Sequence, residues 1–81
     1  MARLTLYTRV HCHLCDDAKA ALERVRARAG FELDVIDVDT DAELQALYGL
    51  EVPVVLVDGK KWAKFRVDES ALERRLRGGA A

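Results

Sequence analysis

Two cysteines, Cys12 and Cys15, are the only thiols in the chain, and two residues separate them. Thiol–disulfide exchange needs one thiolate that attacks and a second thiol near enough to release the mixed disulfide. The pair sits in Thr8-Arg9-Val10-His11-Cys12-His13-Leu14-Cys15, with a strand-like stretch before it and a helix-like stretch after it. Residues three apart on a helix share a face, with Cβ atoms about 5–6 Å apart. A small adjustment then brings two thiols to bonding range. A strand-to-helix turn exposes the first cysteine and covers the second, so Cys12 is assigned as nucleophile and Cys15 as resolving thiol. Free backbone donors at a helix N-terminus stabilise a thiolate on Cys12. His11 and His13 flank it and favour the thiolate when protonated, while Asp16 and Asp17 act the other way.

A bridge between these cysteines closes almost no loop and adds little stability. In a reducing compartment such a pair is catalytic or metal-binding rather than structural. His11, Cys12, His13 and Cys15 are nominally a Cys₂His₂ set, but three of them are consecutive and converge poorly on one ion. No resident metal or other bound cofactor is therefore assigned. Two competing readings stand beside catalysis: a metal or iron–sulfur carrier, and a binding module that uses the cysteines as a redox sensor without turnover.

The elements that must hold the pair read as β-α-β-α-β-β-α. Arg3 to Thr8 alternates as a short strand. The following helix, Leu14 to Ala29, carries an apolar stripe at Leu14, Ala18, Ala21, Leu22, Val25 and Ala29, and Gly30 ends it. A second strand runs from about Glu32 to Asp37, which makes a right-handed βαβ unit with parallel strands. Thr40 and Glu43 match a capping box for a short helix to about Tyr48, with Leu44, Leu47 and Tyr48 inward and Gly49 as stop. Glu51 to Val57 reads as a buried strand. Asp58-Gly59 is a hairpin signal, and the return strand is Lys60 to Val67. Trp62 is assigned to core packing against the middle helix, and Tyr7 is an ordinary strand residue. Asp68 caps a last helix, Glu69 to Arg77, docked by Leu72 and Leu76. Gly78 to Ala81 is a frayed tail.

The 81 residues form one domain, 1–81, and at 51% hydrophobic they suffice for one core. A net charge of −1 gives no electrostatic reason for nucleic acid or an anionic membrane as partner. No apolar run approaches the roughly 20 residues that span a bilayer. The first residues lack a signal-peptide h-region, so a cytoplasmic monomer is the default expectation.

The order of elements resembles the thioredoxin fold in its smallest form, an α/β fold. That resemblance implies a four-stranded mixed sheet in the order 2-1-3-4, the third strand antiparallel to the first, with two helices on one face and the middle helix on the other. Leu4-Thr5-Leu6-Tyr7-Thr8-Arg9, Cys12-His13-Leu14-Cys15 and Glu51-Val52-Pro53-Val54 together resemble the glutaredoxins, above all small bacterial glutaredoxin-like proteins. The resemblance implies a thiol–disulfide oxidoreductase that reduces protein disulfides or glutathione mixed disulfides. It implies that Arg9 meets a glutathione carboxylate. It also implies that Val52 pairs its backbone with bound substrate before a cis Pro53, whereas the residues alone read as an ordinary trans proline at the first residue of a strand. Glu51 replaces the family's usual threonine. The family's Gly-Gly segment before the last helix is absent, leaving Asp68 and the helix amides to meet an amine or carboxylate. Glutathione as co-substrate, or a thioredoxin-reductase-type enzyme as for NrdH-type redoxins, would supply the electrons.

Overall fold

The computed structural model describes residues 2–78. Its elements are β1 (Arg3–Thr8), α1 (His13–Ala29), β2 (Glu32–Asp37), a 3₁₀ turn (Val38–Thr40), α2 (Ala42–Tyr48), β3 (Val54–Val57), β4 (Lys60–Lys64) and α3 (Glu69–Gly78). The sheet has the order β2-β1-β3-β4. β1 runs parallel to β2 and antiparallel to β3, and β3 is antiparallel to β4.

Strand alternation explains the layers. Leu4 pairs with Val57 and Leu6 with Val55, so these four project from one face of the sheet. There they pack with Ala18, Leu22 and Val25 of α1 and Leu72 of α3 into one buried cluster. Tyr7 points to the opposite face, where its ring stacks on Tyr48 of α2 at 4.7 Å between centroids. Two helices therefore cover one face and α2 the other. Ionic contacts also join α1 to α3: Arg24 donates twice to Glu69, and Arg28 reaches Glu69 and Glu73.

Several local expectations are corrected. The buried stripe of α1 is Cys15, Ala18, Ala21, Leu22 and Val25, while Leu14 is 44% exposed and Ala29 is also exposed. Cys15 takes the inward place because the helix begins at His13. Asp41, rather than Thr40, caps α2: its carboxylate accepts from the amides of Glu43 and Leu44. Thr40 is spent within the preceding 3₁₀ turn, where its hydroxyl donates to the Asp37 carbonyl. Leu47 is exposed, while Leu44 and Tyr48 are half-buried as expected, with Tyr48 stacked on Tyr7.

β3 is shorter than predicted, since Glu51 to Pro53 form a turn before it. β4 ends at Lys64 because Phe65 takes a left-handed φ of 69° and turns the chain. A register shift between Val55 and Leu56 places Val55 opposite Ala63 and Leu56 opposite Lys61, with Trp62 as the extra residue. Trp62 accordingly packs against the α1/α3 cluster, not against α2. The hairpin holds as read: Asp58 and Gly59 both have positive φ, and the Asp58 carboxylate accepts from the Arg3 amide at 2.9 Å. Asp68 caps α3 through the Ala71 amide, and Leu72 is fully buried. Gly78 is the last residue of α3 rather than tail, and the rest of the predicted tail lies outside the described residues.

Candidate functional site: the Cys12–Cys15 turn

β1 ends at Thr8, and four residues carry the chain to the start of α1. His11 makes the turn possible with a left-handed φ of 61°. Cys12 is then the N-cap of a 17-residue helix, and its Sγ accepts from the Cys15 amide at 3.1 Å. A sulfur at an N-cap lies where the free amides of the first turn point, which favours negative charge on it. Cys12 and Cys15 are joined as a disulfide, their Cα atoms 5.2 Å apart. Cys15 is 1% exposed and belongs to the buried face of α1, whereas Cys12 is half-buried. The first thiol is accessible to a large partner and the second is not.

An open hollow adjoins Cys12. Arg9, Val10 and His11 form one side with it, and Asp39, Gly49, Leu50 and Val52 form the other. The structure thus brings together Arg9, His11, Cys12 and Val52. His13 is exposed in the first turn of α1 and is not among the residues lining this hollow. Pro53 is fully buried just behind Val52, and the Val52–Pro53 bond is cis. The Pro53 carbonyl accepts from the Phe65 amide at 2.8 Å, tying this turn to the end of β4. Asp68 is not among the residues lining this hollow, and one oxygen of its carboxylate caps α3.

Two features of this site escaped the sequence reading. The first is the partner of Arg9. Its Nε donates to Asp39 Oδ2, and Nη2 on the same guanidinium edge stands against Asp39 Oδ1, both at 3.1 Å. A third donor meets the Gly49 carbonyl at 3.2 Å. Asp39 also accepts from Gln45 at 2.9 Å. Planar forks of this kind are the strong form of ionic hydrogen bond. Gly49 fits because a Cβ there would stand 2.5 Å from the Gln45 carbonyl oxygen.

The second is Glu51. Its carboxylate meets Lys61 and, at 3.7 Å, Lys64, pinning the turn before Pro53 onto β4. The hydrogen bond from Lys61 holds the Glu51 carboxyl below the usual carboxylate range. On the far side of the sheet, burial and then the neighbouring Tyr48 and Asp41 raise the Tyr7 phenol above its ordinary value. Among the described residues no three His, Cys, Asp or Glu side chains are grouped to hold a metal ion. No helix among them is long and apolar enough to cross a membrane.

Comparison with known proteins agrees with this geometry. Residues 3–77 match the family model described as Glutaredoxin-like domain (DUF836). The glutaredoxin-like protein NrdH of Escherichia coli is 36% identical over 70 residues, 82% of each chain. The X-ray structure of the structural-genomics target XcR50 from X. campestris superposes with a TM-score of 0.75 at 40% identity, covering 96% of this chain and 97% of that one. A mutant thioredoxin from Halobacterium salinarum shares the fold, with a TM-score of 0.70 at 23% identity over 94% of this chain and 72% of that one. A disulfide-capable C-x-x-C pair on this fold makes the chain a thiol redox protein, and by its family match it belongs to the glutaredoxin-like family.

Proposed function

We propose that the protein is a thiol–disulfide oxidoreductase that reduces protein disulfides through Cys12 and Cys15. The observation that carries this reading is the asymmetry of the pair: Cys12 is an accessible helix N-cap, and Cys15 is 1% exposed one turn further on. In the reduced protein Cys12 attacks a substrate disulfide and holds one half as a mixed disulfide. Cys15 then displaces that half, and the Cys12–Cys15 bond seen here is the product. The two electrons leave the dithiol for the substrate, and each released thiolate takes up a proton.

Val52, across the hollow from Cys12, is the edge against which substrate backbone would lie, with buried Pro53 fixing its direction. His11 lines the same hollow and His13 is exposed nearby; each assists as a positive charge when protonated. Asp68 caps α3 through one carboxylate oxygen, and its second oxygen, with the amides of that helix end, is where an amine or carboxylate of a substrate would meet it.

A thioredoxin-reductase-type enzyme is the electron source this reading favours over glutathione. The likeness to NrdH supports it. So does the pairing of Arg9 with Asp39, which leaves fewer guanidinium donors for an arriving carboxylate and places a second carboxylate beside it. The test is a coupled turnover assay on insulin disulfides with two reducing systems. Faster turnover with thioredoxin reductase than with glutathione and glutathione reductase is expected. Equal or faster turnover with glutathione would reverse the assignment of the donor.

A further inference from the structure

We infer that Asp39 is a specificity-determining residue: by occupying Arg9 it turns the Cys12 hollow away from small anionic thiols and towards polypeptide substrates. The inference rests on the oxidoreductase reading and deepens it.

Arg9 is the only side chain lining the hollow that carries a fixed positive charge, and Asp39 is the only one with a fixed negative charge. They face each other through two 3.1 Å contacts, and Nη1 of Arg9 donates to the Gly49 carbonyl at 3.2 Å. The pair is preorganised from the far side as well. Gln45 donates to Asp39, and the Asp39 amide donates at 2.8 Å to Asp37. An arriving carboxylate must displace Asp39 from the guanidinium or accept a place beside a second carboxylate. Either costs binding free energy, because like charges at close range repel and a fork already engaged offers fewer donors. The rest of the wall is apolar and open: Leu50 is 94% exposed and Val10 64%. A neutral hollow with exposed aliphatic rims suits an uncharged stretch of polypeptide better than a tripeptide with a carboxylate at each end.

Glutathione disulfide is the small substrate that separates the cases. Reducing it follows the same balance. The Cys12 thiolate attacks one sulfur, the first glutathione leaves as a thiolate and is protonated, and Cys15 displaces the second. Two electrons pass from the dithiol to glutathione disulfide as the Cys12–Cys15 bond forms.

The test begins with binding, using S-methylglutathione as a probe that cannot react. Its affinity is measured by NMR titration of the oxidised chain, for the natural protein, Asp39→Asn and Asp39→Ser. Asparagine keeps an acceptor for Gln45, and the serine variant guards against a loop defect peculiar to the amide. About tenfold tighter binding is expected in both, a gain that salt weakens and that Arg9→Gln removes in the same background; tenfold corresponds to about 1.4 kcal/mol. In turnover, the ratio of kcat/KM for glutathione disulfide to that for insulin rises about tenfold, through KM rather than kcat. Unchanged affinity in both variants, or a gain that survives Arg9→Gln, would overturn the role of Asp39 alone. Failure of the natural protein to reduce insulin would instead overturn the oxidoreductase reading beneath it.

Discussion

A sulfur at a helix N-cap meets backbone amides that have no partner within the helix, and this sets the chemistry at the residue scale. Cys12 receives such a contact from the Cys15 amide, and Cys15 itself is sealed into the face of α1. That much was legible from spacing alone, because a C-x-x-C at a strand–helix junction leaves few other geometries. Arg9 was legible as a cation beside the thiol. Its partner was not, because Asp39 lies 30 residues away and nothing local marks it among the neighbouring acids Asp37 and Asp41. Glu51 was visible only as a departure from the family pattern, whereas its contacts to Lys61 and Lys64 make it a clamp. Replacing Glu51 by Gln weakens that clamp. The expected result is faster amide hydrogen exchange at the Phe65 N–H that bonds Pro53, with exchange in β1 unchanged.

At the scale of elements, strand pairing and helix ends decide where the site residues stand. The extent of β2 and the DG hairpin were readable because periodicity and turn chemistry are local. The cap of α2 was misread by one residue. Thr40 and Asp41 are both good caps, and only the intervening 3₁₀ turn, with Thr40 bonded back to Asp37, hands the role to Asp41. Thermal or urea unfolding separates the two: Asp41→Ala should cost about 1 kcal/mol and Thr40→Ala less. The end of β4 was misread because Phe65 adopts a backbone conformation that favours glycine, a choice imposed by its bond to Pro53 rather than by its own type. Trp62 was read as core correctly but assigned to the wrong layer, since a bulge changes which face a residue meets. Leu72 is the main apolar anchor of α3, with no exposed surface. Leu72→Ala is expected to cost about 2–5 kcal/mol in urea unfolding, a large part of the stability of so small a domain.

For the whole molecule, the order of strands and the two-sided cover of helices bring the β1–α1 turn, the end of α2 and the turn before β3 to one hollow. Ion pairs add a pH dependence with a definite sign. Hydrogen bonds from Arg24, then Arg28, hold the Glu69 carboxyl below its usual value, and Lys61 does the same for Glu51. The folded state therefore releases these protons more readily than the unfolded chain. Their contribution is present in full above the ordinary carboxylate value of 4.5 and is lost as pH falls through the lower folded value. Tm should be level near neutral pH and fall in acid, and the acid fall should shrink in high salt and in Glu69→Gln. The central claim, that Cys12 attacks and Cys15 resolves, is tested most directly by mass spectrometry of reduced variants mixed with a disulfide substrate. Cys15→Ser is expected to accumulate a mixed disulfide on Cys12, and Cys12→Ser to form none and lose turnover. Full turnover by Cys12→Ser, or a mixed disulfide trapped on Cys15 instead, would contradict it.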